Sequence, residues 1–380
     1  MELALNDDQT MVAQTAAAFI AEHASIARLR QLRDIQDERG YSLDVYRQMA
    51  DLGWTAMPFT EADGGLEMGL AGTILVTEAM GRALAPEPLI SSIVLAGRAV
   101  AKGGSDDLKQ AWLGPAIEGE KVLALAYQER GARYNLHHCQ TQAVRTDAGY
   151  VLNGEKVLVA AGPLAEAFVV VARTQGAATD AAGLTLLLIP ADAPGLHVTR
   201  QWLVDSSSAA MVAFSDVRVG EEAVVGHPDD ALPLLEEVID GGTVALCGEM
   251  LGGMCEAFDR TMAYLKERKQ FEAVLGSFQA LKHRAAYLFI ETELARSATM
   301  AAARAMDAGE ANAKALVSVA KARCSDAYVK IANEAVQMHG GIGMTDEHEI
   351  GFFLKRARAS EMTFGDAAYH RNRYAALNGY

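Results

Sequence analysis

Residues 337–366 read QMHGGIGMTDEHEIGFFLKRARASEMTFGD. The run closes an apolar helix that passes through Ala327-Tyr328-Val329 and Ala335-Val336, then breaks at Gly340-Gly341, with Gly343 two residues on. Glycines at such a bend let backbone N–H groups come close to a ligand, because no Cβ stands in the way. A basic, apolar helical run follows, Phe352-Phe353-Leu354-Lys355-Arg356, and a second glycine turn, Phe364-Gly365-Asp366, ends it. Glycine punctuates most loops, so GGxG alone reads as two helices joined by a turn. Its meaning comes from the order of motifs around it.

Upstream, Ile239, Leu246, Met250, Met254, Phe258, Met262 and Leu265 recur at intervals of three, four or seven, which predicts a long amphipathic helix from Pro233. Gly241, Gly242, Gly248, Gly252 and Gly253 lie inside it, each costing about 1 kcal/mol relative to Ala. Close approach of another helix or a flat ligand would offset that cost. Arg268-Lys269-Gln270-Phe271 closes this helix and Phe278-Gln279 opens the next. A cation at a helix C-terminus is favourable on its own. Leu275, Phe278, Leu281, Leu288 and Ala295 mark another helix and a further one is expected over 311–338, so residues 227–380 read as a helical bundle domain.

Residues 121–226 have another texture. Short apolar runs at 122–127, 150–152, 167–171, 184–189, 212–214 and 217–219 alternate with turn residues, and Asn153-Gly154 reads as a hairpin signal. A middle domain of antiparallel strands, barrel or sandwich, follows. Residues 1–120 read as all-helical, with Asn6-Asp7-Asp8 as a helix cap and helices at 43–52, 68–84 and 89–101. The fold class is α+β: an N-terminal helical domain, a middle β-domain and a C-terminal four-helix bundle.

The net charge of −15 argues against nucleic acid or an anionic membrane as partner, while leaving room for a local basic patch. Cys139, Cys247, Cys255 and Cys324 form no CxxC and no metal spacing. His137-His138 would point to opposite faces of a strand, so no metal is expected. The N-terminus lacks a basic n-region and an apolar h-region, and no apolar run reaches the roughly 18 residues of a membrane span. A reducing cytoplasm is the expected location. No G-x-G-x-x-G follows a strand, so the Rossmann fingerprint is missing.

Taken together, R-x-Q-F, F-Q and Q-x-x-G-G resemble the acyl-CoA dehydrogenase family, and G-W-x-x-x-P-x-x-x-x-x-G-G at residues 53–65 is similar to its N-terminal domain. The resemblance implies FAD as cofactor. It places Arg268, Gln270, Phe271, Gln279, Gln337, Gly340 and Gly341 at the dinucleotide part of an FAD on a neighbouring subunit, and Gln128 and Ala160 beside the flavin. Arginine suits a pyrophosphate because its planar fork donates parallel hydrogen bonds. The implied reaction removes the α-proton of an acyl-CoA thioester with a carboxylate base and sends the β-hydrogen as hydride to the flavin. An electron-transfer flavoprotein or similar acceptor, and a homo- or hetero-oligomeric dimer or tetramer, come with it.

The chain also departs from the family pattern. Where the family turn has Glu-Gly-Thr, this one has Phe364-Gly365-Asp366. The alternative base position on the long helix falls at about Gly242, followed by Thr243 in place of Arg. The Thr-Glu-Pro motif becomes Gln128-Glu129-Arg130, its Gly-Ser-Asp tail becomes Arg133-Tyr134-Asn135, and the Trp-x-Thr motif becomes Leu158-Val159-Ala160. Asp366 is the first candidate base, with Asp240 and Glu249 next; each could equally be a capping or solvated carboxylate. A-x-x-E-R-x-A-R-Y, G-S-F-Q, Q-x-H-G-G-I-G-M-T and F-G-D look similar to the so-called small subunits of pimeloyl-CoA dehydrogenase. Heteromeric steroid-degrading members likewise pair one competent with one degenerate subunit. Three roles fit: a homo-oligomeric dehydrogenase, the degenerate partner in a heteromer, or a non-catalytic CoA-ester-binding protein on the same fold.

Overall fold

Asn6 opens the first helix as its sequence suggests. Its Oδ1 accepts from Gln9 N–H at 2.8 Å, and Gln9 Oε1 accepts from Asn6 N–H at 3.3 Å, a capping box for α1 (Asp7–His23). The computed structural model describes residues 4–380. The chain divides into one unit of Met1–Ile35, Leu70–Pro86 and Thr243–Tyr380, and another of Gln36–Gly69 and Glu87–Gly242.

The first unit is helical. After α1 come α2 (Ile26–Asp34) and, beyond α3 (Leu43–Asp51) of the other unit, α4 (Gly69–Ala83), which is buried from Leu70 to Gly81 except at Glu78. The carboxylate of Asp307 accepts from the Leu70 and Ala71 N–H groups at 2.7 and 2.8 Å, satisfying two donors that the helix itself cannot use. The long helix α5 (Leu232–Glu267), which belongs to this unit from Thr243 on, is followed by α6 (Gln279–Asp307), α7 (Ala313–His339), α8 (Ile350–Met362) and α9 (Ala367–Leu377). Helix α7 packs against α6, α8 and α9 and is the centre of this bundle.

The glycines of α5 have a structural cause. A Cβ on Gly252 would lie 1.9 Å from Glu78 O, and a Cβ on Gly81 of α4 would lie 2.0 Å from Glu249 O. The two helices therefore touch backbone to backbone. Gly248 meets α4 too, at Thr77 Oγ1 (2.4 Å), and Gly253 meets Tyr328 of α7. Helix-on-helix approach is the compensation at Gly248, Gly252 and Gly253.

The second unit carries the sheet: β1 (Leu123–Ala126), β2 (Gln142–Thr146), β3 (Gly149–Ala160), β4 (Ala167–Arg173), β5 (Leu184–Pro190), β6 (Leu196–Trp202), β7 (Ser208–Val219) and β8 (Val224–Val225). The strands order as β6-β7-β3-β2-β4-β5-β8, with β1 added to β4. Pairing is antiparallel except where β1 and the end of β2 meet β4 in parallel. Phe168, Val170, Leu187, Val212 and Phe214 make its dry core.

The expected turn at Asn153-Gly154 is corrected. The hairpin between β2 and β3 turns at Asp147-Ala148, and Asn153-Gly154 sits inside β3 at a register shift against β7. Tertiary pairing wins over the local turn signal. Asn153 exchanges two 2.9 Å hydrogen bonds with Asp216, giving its Nδ2 and accepting from the Asp216 N–H.

Helix propensity alone would have Gly81→Ala and Gly252→Ala stabilise by about 1 kcal/mol. The crossing predicts the opposite sign, a loss of about 2–3 kcal/mol for each from overpacking against backbone. The urea midpoint measures it; an unchanged or raised midpoint would contradict this contact.

Candidate functional site

Helix α5 ends in a tight hairpin. Arg268 N–H still donates to Tyr264 O at 2.9 Å, and Leu275 N–H closes the loop onto Arg268 O at 2.9 Å. Lys269-Gln270 pairs with Ala273-Val274, leaving Phe271 and Glu272 as the two tip residues, at φ 54° and 59°. Hairpin tips of that shape are usually Asn or Gly, because a side chain there costs about 1–2 kcal/mol. Phe271 is 83% exposed and meets Phe278 edge to face at 6.3 Å. Arg268, Gln270 and Gln279 are exposed as well.

The glycine bend lies beside this hairpin. Tyr264 Oη donates to His339 O at 3.3 Å, and the two rings are 4.5 Å apart. His339 is buried, its Nδ1 2.7 Å from Ala335 O, and burial lowers its pKa. Gln337, Gly340 and Gly341 are exposed next to it. Gly340 stands at φ 68°, which demands glycine locally. Gly341 has an ordinary φ, and a Cβ there would meet nothing within 4 Å. Nothing in the single chain requires that second glycine. The structure thus brings seven of the sequence-predicted residues onto one exposed part of the first unit: a guanidinium, three amide side chains, an aromatic ring and an open backbone bend. Such a set can hold a phosphate-bearing ligand.

The remaining two, Gln128 and Ala160, belong to the second unit. Gln128 is half-buried, its carbonyl accepting from Val157 N–H at 2.9 Å, and Ala160 is exposed at the end of β3. Leu158 (φ 52°) and Ala161 (φ 57°) take left-handed conformations on either side. Between these positions lies a pair that sequence reading did not single out. The Lys156 ammonium, fully buried, donates to Glu129 Oε1 at 2.6 Å, and Glu129 also accepts from the Gln140 and Thr141 N–H groups. Burial pushes the Glu129 carboxyl up, but the Lys156 charge and these hydrogen bonds outweigh it and hold it at about 2.

The candidate bases are all engaged. Asp366 caps α9, its Oδ1 accepting from Tyr369 N–H at 2.8 Å. Glu249 pairs with Arg356 at 2.7 Å. Asp240 is buried. Phe364 stands at φ 59°, half-buried. Beneath this turn is a second group missed in the sequence. The fully buried Lys321 donates to Ser325 Oγ at 2.9 Å, Glu361 O at 3.1 Å and Gly365 O at 2.8 Å. The available signal was a lysine at a core position of an apolar helix. Among the described residues no three His, Cys, Asp or Glu side chains gather as a metal group, and no helix is long and apolar enough to cross a membrane.

The acyl-CoA dehydrogenase N-terminal, middle and C-terminal domain families match residues 6–120, 124–217 and 232–377. The chain belongs to the acyl-CoA dehydrogenase family. It is 28% identical to "Probable acyl-CoA dehydrogenase YngJ" of Bacillus subtilis over 98% of each chain. The structure of the ChsE4–ChsE5 complex from Mycobacterium tuberculosis contains a chain 26% identical, with a TM-score of 0.89 over the full length of both. Butyryl-CoA dehydrogenase from Megasphaera elsdenii, 24% identical with a TM-score of 0.90 over the full length of both chains, shares the fold.

Two outcomes test this geometry. Glu272→Gly should relieve the hairpin tip and raise stability by about 1 kcal/mol, seen as a higher Tm; a lowered Tm would contradict the left-handed tip. Burial lowers the Lys321 pKa to about 8 from 10.5, despite Cys247, Cys324, Glu361 and Asp366, which raise it. The folded chain then releases this proton near pH 8 and the unfolded chain near 10.5. Wild type should therefore gain on Lys321→Met between those values, by up to about 3 kcal/mol. A urea-derived difference that stays flat from pH 8 to 10.5 would contradict it.

Proposed function

We propose that this chain works in the FAD-dependent α,β-dehydrogenation of an acyl-CoA thioester, an oxidoreductase reaction on a CH–CH bond. In this reading Arg268, Gln270, Phe271, Gln279, Gln337, Gly340 and Gly341 hold the nucleotide end of an FAD shared with a neighbouring subunit. One observation carries it: the hairpin and the bend lie together and exposed, with a glycine at 341 that no contact within the chain requires. When bound, FAD supplies the acceptor for the β-hydrogen, taken as hydride. The chain's own part is to donate hydrogen bonds from the Arg268 guanidinium and the bend to phosphate oxygens, and to stack Phe271 against a planar ring. Asp366 is the carboxylate proposed to receive the Cα proton.

Specific observations favour a second reading within the same family, that of a partner subunit in a heteromeric dehydrogenase. Phe364 cannot accept a proton, Asp366 is occupied in capping α9, and Ala160 offers no side-chain donor to a flavin ring. The chain would then lend its nucleotide grip to a competent partner, as a heteromeric complex such as ChsE4–ChsE5 allows. An acyl-CoA substrate, an electron-transfer flavoprotein as acceptor and a cytoplasmic site, the last supported by four unpaired cysteines, belong to this proposal.

Visible absorption decides between the two. Purified alone, the chain should be colourless, and it should become yellow and be bleached by an acyl-CoA when co-expressed with its partner. A yellow preparation bleached on its own would assign the first reading; a colourless one in every combination would contradict both. In the yellow complex, Arg268→Ala should lower FAD affinity about tenfold or more, the loss expected from a charge-assisted hydrogen bond.

A further inference from the structure

After the tight turn Gly340–Met344, residues 345–349 belong to no helix or strand until α8 begins at Ile350. Side chains fix this segment instead. Asp346 is held by two arginines of α2, the nearer of them 313 residues earlier in the chain. Arg33 donates Nη1 to Oδ1 and Nη2 to Oδ2, both at 2.8 Å, and its Nε donates to Asp34 Oδ1 at 2.8 Å, which aims the fork. Arg30 Nη1 donates to Asp346 Oδ2 at 2.9 Å and to the Asp346 carbonyl. Both guanidiniums lie over the ring of Phe352, 4.9 and 5.1 Å from its centre, and that ring is buried. Helix α2 is itself anchored, by buried Ile26 and Leu29 and by Ser25 Oγ, which accepts from Arg28 N–H at 3.2 Å. Glu349 is paired with Arg260 of α5. Helix α2, the segment and α8 all belong to the first unit.

An exposed ion pair ordinarily contributes little, because two long side chains must be ordered and water screens the charges. This one differs in kind. The fork takes both carboxylate oxygens, a second arginine shares one of them, and stacking on a buried ring already orders the guanidiniums. The hydrogen bonds from Arg33 hold the Asp346 carboxyl at about 2, so it is charged throughout the neutral range. The constraint reaches the bend through Thr345, whose N–H and Oγ1 both donate to Ile342 O, at 3.1 and 2.8 Å. On the other arm, Tyr264 holds the His339 carbonyl. Between the two arms, a Cβ on Gly340 or Gly341 would meet nothing within 4 Å. Their path is therefore set by the arms and not by packing of their own.

We infer that Arg33 and Asp346, supported by Arg30, are positioning residues for the Gly340-Gly341 bend, keeping it in the shape that receives the nucleotide end of FAD. This rests on the FAD reading above and gives a part in it to α2, a helix that supplies none of the seven gripping residues. A bend that holds the competent shape only part of the time binds its ligand more weakly in proportion. Loss of the fork therefore shows as weaker FAD binding, with no ligand contact removed.

The test is a double-mutant cycle on the FAD dissociation constant of the yellow complex, titrated with FAD. Arg33→Ala and Asp346→Ala should each weaken FAD about fivefold, and the double variant about fivefold as well, because each removes the same contact. Losses that multiply to about 25-fold would show that the two do not act as a pair, and would overturn the inference. So would a lowered Tm with FAD affinity kept within about twofold, the result expected of a pair that serves stability alone. Asp346→Asn, which keeps the shape of the side chain, repeats the measurement should an alanine variant fail to fold. A second readout needs no cofactor: in the full chain without FAD, deuterium exchange over 340–349 should quicken about fivefold in Asp346→Asn while α6 stays unchanged. Unchanged exchange there would also overturn the inference. Arg268→Ala separates it from the reading beneath it. A tenfold loss in Arg268→Ala with none in Arg33→Ala overturns the inference alone, whereas no loss in Arg268→Ala, or no FAD bound by the unaltered complex, overturns both.

Discussion

The contact between Tyr264 and His339 is the constraint on which the proposed site depends. It joins the last turn of α5 to the last turn of α7, through a hydrogen bond to the His339 carbonyl and rings in contact. The residues proposed to grip a ligand in the first unit follow one side or the other. Arg268 follows Tyr264 by one helical turn, and Gly340 follows His339 directly. The helices themselves are fixed by the backbone crossing of α4 on α5 and by the packing of α7 at the bundle's centre. A local pair of rings therefore turns two chain ends into one surface.

The two units have diverged unequally from the family pattern. The first retains a cationic, amide-rich and glycine-bent patch. The second has a non-hydroxylic Ala160 and a leucine where the family has tryptophan, and in it a buried Glu129–Lys156 pair anchors residues 128–129 to the 139–141 segment and to β3. Removing one partner of such a pair would leave a buried charge without compensation, a loss of about 3–5 kcal/mol. At the α8–α9 turn, Phe364 stands on a backbone whose carbonyls are bonded by Lys321 and His370.

Much of this was legible in the sequence because it depends on short-range chemistry. The Asn6 cap and the span of the long helix follow from periodicity and helix-end residues read in order, whereas the hairpin that follows the helix at Lys269–Val274 carried no signal in the string. Glycines inside α5 announced a close approach, although only coordinates show that Gly81 and Gly252 meet it from both sides. Asn153-Gly154 misled, since a turn signal does not record that β7 pairs across it. Lys156 and Lys321 went unread for a related reason. A lysine in a string reads as solvated, and only tertiary structure surrounds it with carbonyls or a carboxylate.

The most direct measurement is an experimental structure of the assembled oligomer with FAD bound. The account predicts that the pyrophosphate lies within hydrogen-bond reach of an Arg268 guanidinium, with the Gly340-Gly341 bend against the nucleotide, both contributed by a protomer adjoining the one that holds the flavin ring. An FAD fully bound with Arg268 and the bend facing solvent would contradict it.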